Sequence, residues 1–208
     1  MSDILAVERV VLNLIARMSG VSTYTKKIVN ISDGVLIAPT RKTLWGLLDK
    51  KAVLIGGGGT HRLNLSDAVL VKDNHLSILG GSVSKALKNI SDKKLPDSVR
   101  FVEIEVENIE DSVKAAEAFY TLTGNGGINA PSVIMFDNMS CSDISKAISI
   151  IREKGHYDTV LFEASGGINN ENLRDYVKTG VDIISMGCLT SSSVSMKLKM
   201  EINPLLSD

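Results

Sequence analysis

Cysteine is scarce in this chain: Cys141 and Cys188 are the two that occur in 208 residues. Their separation is no metal-ligand spacing, and a cytoplasmic protein keeps both reduced, as packing residues rather than nucleophiles. Histidine is rarer than most chemistry needs, with three in the chain, and His61 and His75 also lack a metal-site spacing. There is no His-Glu-x-x-His motif and no Ser/His/Asp order. The glycine run at 56–59 is not followed by Gly-Lys-Ser/Thr, so it is not a P-loop. No apolar run reaches the roughly 18–20 residues that a spanning helix requires. The start, Met-Ser-Asp, has no basic n-region, so the expected location is cytoplasmic. Charge of one sign is also missing. A formal net charge of −1 and a pI near 6.3 give no reason to expect nucleic acid or an anionic membrane as partner. Linkers, low-complexity tracts and charged tails are absent, so residues 1–208 are expected to form one domain.

What the chain does contain is a local concentration of cations beside flexible backbone. Arg41 and Lys42 lie in Thr-Arg-Lys-Thr at 40–43, His61 and Arg62 follow the glycine run, and Lys72 opens Lys-Asp-Asn-His at 72–75. In a chain of near-zero net charge, such a cluster points to a pocket for a polyanion: phosphate, pyrophosphate or a multi-carboxylate. Solvated surface charge is the bland alternative. Against it, Arg41-Lys42 and Lys72 directly abut the apolar runs Val-Leu-Ile-Ala and Ala-Val-Leu-Val.

Short β-branched runs alternate with helical patterns. Strands are expected over 35–38, 68–71, 101–106, 133–136, 159–163 and 182–185. Most are apolar throughout, as parallel strands buried on both faces are. Helices are expected over 44–53, 82–90, 109–122, 142–154 and 170–178, with an opening helix over 4–18 that stops at Gly20. Such βα units build either a doubly wound sheet or a barrel. The unusual polar groups decide for the barrel, because they gather at or just past the C-terminal ends of the strands, where a barrel has its mouth. The expected fold is therefore a parallel (β/α) barrel, TIM-like and irregular, with six or seven strands. The Gly/Asn-rich stretch 121–131 is long for a βα connection and could be a mobile flap or an insertion.

Two late strands end in Glu163-Ala-Ser165-Gly166-Gly167 and Ser185-Met-Gly187. Loops at this place in a barrel bind phosphate through backbone amides. In Glu103-Ile-Glu105-Val-Glu107 the three glutamates share one face. Glu105 with Asp137 would form an acidic pair opposite the cations, suited to a developing positive charge or to Mg2+ held through water. They could instead be salt-bridge partners of Lys72 or Arg62. Glu103 and Glu107 are expected to be peripheral.

These segments together resemble the quinolinate phosphoribosyltransferase family, also called carboxylating nicotinate-nucleotide pyrophosphorylases. The likeness runs from Glu8-Arg9 and Ser19-Gly20 through Thr40–Thr43, Gly57–Arg62, Lys72–His75, Glu103–Val106 and Phe136–Met139 to Glu163–Ile168 and Gly180–Gly187. It covers roughly residues 5–195 in the family's order. The resemblance implies that quinolinate displaces pyrophosphate from Mg2+-bound phosphoribosyl pyrophosphate (PRPP) and loses CO2 to give nicotinate mononucleotide. It also implies roles. Arg9, Arg41, His61, Arg62 and Lys72 would hold the carboxylates of quinolinate and part of the phosphates, and Lys42 the pyrophosphate or substrate. Glu105 and Asp137 would face ribose and metal, forming with Lys72 the catalytic set. Ser165, Gly166 and Gly187 would cradle the 5′-phosphate. Arg9 would reach a neighbouring subunit's site, which implies a homodimer.

The chain departs from the family pattern in four ways. It starts after the family's small N-terminal α/β domain. It reads Leu44-Trp45-Gly46 and Leu48 where Pro-Gly and an arginine are usual. Asn64 replaces a glycine and Ser191 a histidine, and the 121–131 loop is long. These departures imply altered substrate contacts. The rival readings are a nicotinate-type enzyme, a molybdenum-transport-associated relative (which usually lacks the lysine at Lys72), and a non-catalytic or split barrel subunit that pairs with a partner.

Overall fold

The computed structural model describes residues 2–201. Six parallel strands form one sheet in the order β1-β6-β5-β4-β3-β2. They are β1 (Leu36–Pro39), β2 (Val69–Val71), β3 (Val102–Val106), β4 (Ser132–Asp137), β5 (Leu161–Ser165) and β6 (Ile183–Met186). Each begins within two residues of its expected start. The first and last strands pair, Leu36 with Ile183 through Pro39 with Met186, which curls the sheet into an irregular (β/α) barrel. Ladder pairing is missing between β1 and β2. The glycine-rich stretch turns back from α2 beside β1, where the Gly59 amide donates to the Ile37 carbonyl at 2.8 Å.

Strand alternation sorts the side chains. Val102, Ile104, Phe136, Phe162, Ala164 and Ile184 point out to the helices and are buried there, with Phe136 and Phe162 stacked at 5.9 Å. The covering helices include α2 (Leu47–Ile55), α4 (Val83–Ser91), α5 (Ile109–Gly124), α6 (Cys141–Glu153) and α7 (Leu173–Val177). In α6 the predicted stripe Ile144, Ala147, Ile148 and Ile151 is the buried face. Helices α4, α5 and α6 each start on a side-chain cap, from Ser82, Asn108 and Ser140.

Two expectations are corrected. The opening helix does not stop at Gly20 but runs unbroken as α1 (Ser2–Val29). Gly20 is buried against the returning C-terminal segment, and a Cβ there would strike the Val194 carbonyl oxygen. The glycine thus serves close packing, not helix termination. Its apolar residues Leu5, Val10 and Ile15 are exposed, while Val21 and Ile28 enter the core. The 121–131 stretch finishes α5 and leads into β4. It therefore lies at the N-terminal end of a strand, on the face away from the mouth, and cannot serve as a flap over it. Two short helices escaped the sequence patterns, α3 (Asp73–Ile78) and α8 (Cys188–Ser191). Among the described residues no helix is long and apolar enough to cross a membrane.

Candidate functional site

The inward-facing positions of the strands form two layers. The upper layer, at the C-terminal ends, surrounds a cavity of about 340 Å³ lined by Thr40, Arg41, Lys42, His61, Arg62, Lys72, Asp73, Glu105, Asp137, Ser165 and Ser185, among others. This is the expected mouth, and it brings together most of the residues singled out by sequence. Below it, the apolar Leu36, Val133, Leu161 and Ile183, together with His61 and Glu163, surround a second cavity of about 300 Å³.

Each side chain of the mouth is placed by a local device. Arg41 and Lys42 follow β1 in a loop that the Thr190 hydroxyl ties down by donating to the Lys42 carbonyl at 2.8 Å. Asp49 accepts the Leu44 and Trp45 amides at 3.1 Å each. Lys72 ends β2 and caps α3, its amide donating to His75 Nδ1 at 2.9 Å. His75 itself is exposed and is spent on this cap. Lys72 Nζ forms an ion pair with Glu105 on the adjacent strand, so the salt-bridge reading holds for this pair even as both groups line the mouth. Burial pushes the Glu105 carboxyl up, the Lys72 ammonium opposes it, and the charges of Asp137 and Asp73 reinforce it.

Ser165 ends β5, and its carbonyl accepts the Asn138 amide at 2.9 Å. Gly166 has φ +96° and packs on Asn138. Gly187 opens α8 beside Thr40 and Lys42. Gly166 and Gly187 thus form backbone walls behind the lining side chains. Arg9 is not at the mouth. It is exposed on α1, in a groove with Leu12, Asn13, Arg17, Leu44, Trp45 and the 195–199 segment.

Sequence reasoning missed one part of the site. Glu103 is not peripheral but wholly buried inside the barrel, as is Glu163. An oxygen of each lies 3.3 Å from His61 Nε2. Burial alone would lower the imidazole pKa, yet Glu103 and Glu163 outweigh it and carry His61 up to about 10. Burial and the charge of Glu163 push Glu103 up to about 7, with His61 opposing. The available signal was alternation: a glutamate two residues before Glu105, and another two before Ser165, must share their inward face.

For a metal, the oxygen-only pair Glu105 and Asp137 suits Mg2+, which commonly takes one or two carboxylates together with substrate phosphates and water. His61, Glu103 and Glu163 also bring one donor atom each within 4.8 Å of one another. As a chemical device, the mouth sets several fixed cations against two carboxylates, an arrangement that can bind a polyanion and stabilise positive charge developing beside it.

The chain is similar to known proteins. The model of the quinolinate phosphoribosyl transferase C-terminal domain matches residues 21–201. A probable carboxylating nicotinate-nucleotide pyrophosphorylase of Methanothermobacter thermautotrophicus is 41% identical, over 98% of this chain and 70% of its own length. A mitochondrial decarboxylating quinolinate phosphoribosyltransferase of Nicotiana glauca is 39% identical, over 97% of this chain and 58% of its own. The crystal structure of NadC from Streptococcus pyogenes superposes with a TM-score of 0.79 at 35% identity, over 95% of this chain and 64% of that one. The chain thus spans 58–70% of the length of these three proteins. The matched span contains both layers of the barrel and every residue of the mouth, and the chain belongs to the quinolinate phosphoribosyltransferase family.

Proposed function

We propose that this domain transfers the phosphoribosyl group of PRPP to quinolinate with loss of CO2, giving nicotinate mononucleotide and pyrophosphate for NAD biosynthesis. One observation carries the reading: Arg41, Lys42, Arg62 and Lys72 share a single cavity with Glu105 and Asp137. A dianionic acid and a polyphosphate both call for several cations, while the cationic ribose of the transition state calls for carboxylates. Lys72 and Arg62 sit near the acidic pair, where the ring acid would meet the ribose. Arg41 and Lys42 flank Gly187 and Ser185, where phosphates would lie. Glu105 and Asp137 would hold Mg2+, which supplies charge neutralisation of the pyrophosphate. Once quinolinate is bound, Arg62 and Lys72 would orient the ring so that its 2-carboxylate can depart.

The same reading includes a homodimer in which Arg9 serves the neighbouring site. Its support is that Arg9 lies outside its own mouth, on the first half of α1, where Leu5, Val10 and Ile15 are exposed. A reducing, cytoplasmic setting accords with the two free thiols, Cys141 and Cys188.

The test is turnover of quinolinate with PRPP and Mg2+, following nicotinate mononucleotide, with Lys72→Ala as control. Product that disappears in the variant supports the reading. Conversion of nicotinate but not quinolinate would transfer the assignment to the single-carboxylate class. Failure with every ring acid would leave a binding or partner subunit.

A further inference from the structure

The polar lining of the mouth divides into two arcs. On one side lie charges: Lys72 just past β2, Glu105 in β3 and Asp137 at the end of β4. On the other side Ser165 ends β5, Ser185 lies in β6 and Thr40 follows β1, so hydroxyls line the strands there. The ladder sets these residues in sequence around the ring. Asp137 pairs with Ser165, the pairing of Ala164 with Ile184 continues to Ser165 beside Ser185, and Ser185 pairs with Ala38. Ser185 is therefore two strands from Asp137 and three from Glu105.

The hydroxyls of this arc are not equivalent. Thr40 Oγ1 accepts the Lys42 amide at 3.1 Å. Ser185 is 3% exposed, and its Oγ is buried with no hydrogen-bond partner among the described residues. A buried hydroxyl left unpaired costs the fold free energy, which alanine at the same inward position would avoid. Ala38, its neighbour in the ladder, has only a methyl group to offer. What the hydroxyl lacks is an acceptor, and the cavity that Ser185 lines is where one can arrive. The surroundings select that acceptor. Two residues on, Gly187 leaves open backbone, where a Cβ would stand 3.5 Å from Thr40 Oγ1 and 3.9 Å from Lys42 Cδ. A dianion is drawn to Lys42 and repelled by Glu105 and Asp137, and the hydroxyl arc satisfies both conditions. Pyrophosphate, which travels with Mg2+, belongs instead with the two carboxylates. The group left for the hydroxyl arc is a phosphate monoester.

We propose that Ser185 is a further substrate-binding residue, whose hydroxyl donates to an oxygen of the phosphate monoester of the phosphoribosyl donor. It adds a side-chain donor from inside the barrel to the backbone of Gly166 and Gly187. The bound phosphate gives the hydroxyl the partner that the free protein withholds. That the monoester belongs to PRPP rests on the function proposed above; a phosphate monoester site at Ser185 stands without it.

Ser185→Ala tests this, because it removes the hydroxyl and almost no volume. The melting midpoint of the free variant should equal or exceed that of the unmutated protein, since no hydrogen bond is lost. Calorimetric titration with ribose 5-phosphate should show an affinity weakened about tenfold or more, the scale of one hydrogen bond to a charged group. Quinolinate, and pyrophosphate with Mg2+, titrated separately, should keep their affinities within about twofold. An unchanged affinity for ribose 5-phosphate overturns the proposal, as does an unmutated protein that does not bind it. A lowered midpoint, or a loss shared by all three ligands, would show a structural hydroxyl instead. A loss confined to pyrophosphate would overturn the monoester assignment. If the unmutated protein binds ribose 5-phosphate but does not turn over quinolinate, the functional reading fails, while the affinity ratio still decides the role of Ser185.

Discussion

Arg17 of α1 and Asp49 of α2 form a buried two-pronged ion pair, Nε to Oδ1 and Nη2 to Oδ2 both at 3.0 Å. Arg17 also donates to the Ser193 and Thr190 carbonyls, and Asp49 gathers the Leu44 and Trp45 amides. One pair therefore joins the first helix, the loop carrying Arg41 and Lys42, and the C-terminal segment. Asp49→Leu leaves a buried guanidinium without its partner, and such a loss costs about 3–5 kcal/mol. Urea denaturation should show a midpoint lowered to match. The emission of Trp45, the single tryptophan, should shift even under native conditions, because its loop loses its anchor.

Gly166 predicts a loss of another kind. With φ +96° and a would-be Cβ 2.8 Å from the Asn138 backbone nitrogen, Gly166→Ala is strained and crowded at once. The loop after β5 must move. On the proposed function, KM for PRPP should rise by about tenfold or more, while KM for quinolinate changes less. Equal changes in both constants would argue against a phosphate role for this loop.

Lys50 sets a pH window. Burial first, and then the charges of Arg41 and Arg62, pull its ammonium down to about 8 from 10.5. Between those values the native state binds fewer protons than the unfolded chain, so this group makes stability rise with pH across about 8 to 10.5. The full span is on the order of 3 kcal/mol. Melting curves of the protein and of Lys50→Met, compared at pH 8 and 10, should differ in slope by that contribution, with the variant showing less gain.

Lys72 and Glu105 predict a kinetic signature. Without the Lys72 charge, Glu105 loses the influence that opposes burial, and its pKa must climb further. If an ionised Glu105 is the active form, Lys72→Met should move the acidic limb of kcat/KM to higher pH, in addition to lowering the plateau about 100-fold or more. An unmoved limb would show that Glu105 ionisation does not govern the rate.

The barrel and the contents of its mouth were legible because both rest on local rules. Apolar runs mark strands buried on two faces, and charges directly after such runs fall at the strand ends, as Lys72 after Val69–Val71 and Asp137 at the close of β4 show. What stayed hidden depends on closure. Gly20 reads as a helix stop until the C-terminal segment is laid across it. Glu103 reads as peripheral, and Glu163 as the start of a phosphate loop, until β3 and β5, with β4 between them, turn both inward onto His61. Likewise Arg9 cannot be assigned to its own mouth or another by spacing alone, because only the curvature of the barrel carries α1 away from the cavity.

Ladder pairing stops at β1 on one side and β2 on the other, so the ring is a hoop with a clasp. The clasp is the Gly59–Arg62 stretch, fastened by one amide to Ile37 and by the His61 ring to two glutamates. Breathing should begin there, and hydrogen exchange should be fastest at the clasp and slowest in β4 and β5 opposite it. An anion drawn to Arg62 on the clasp and Lys72 on β2 would bridge the gap and tighten the hoop. Ligand binding and barrel closure then become one equilibrium, and the exchange protection gained on binding should concentrate at the clasp rather than spread evenly around the ring.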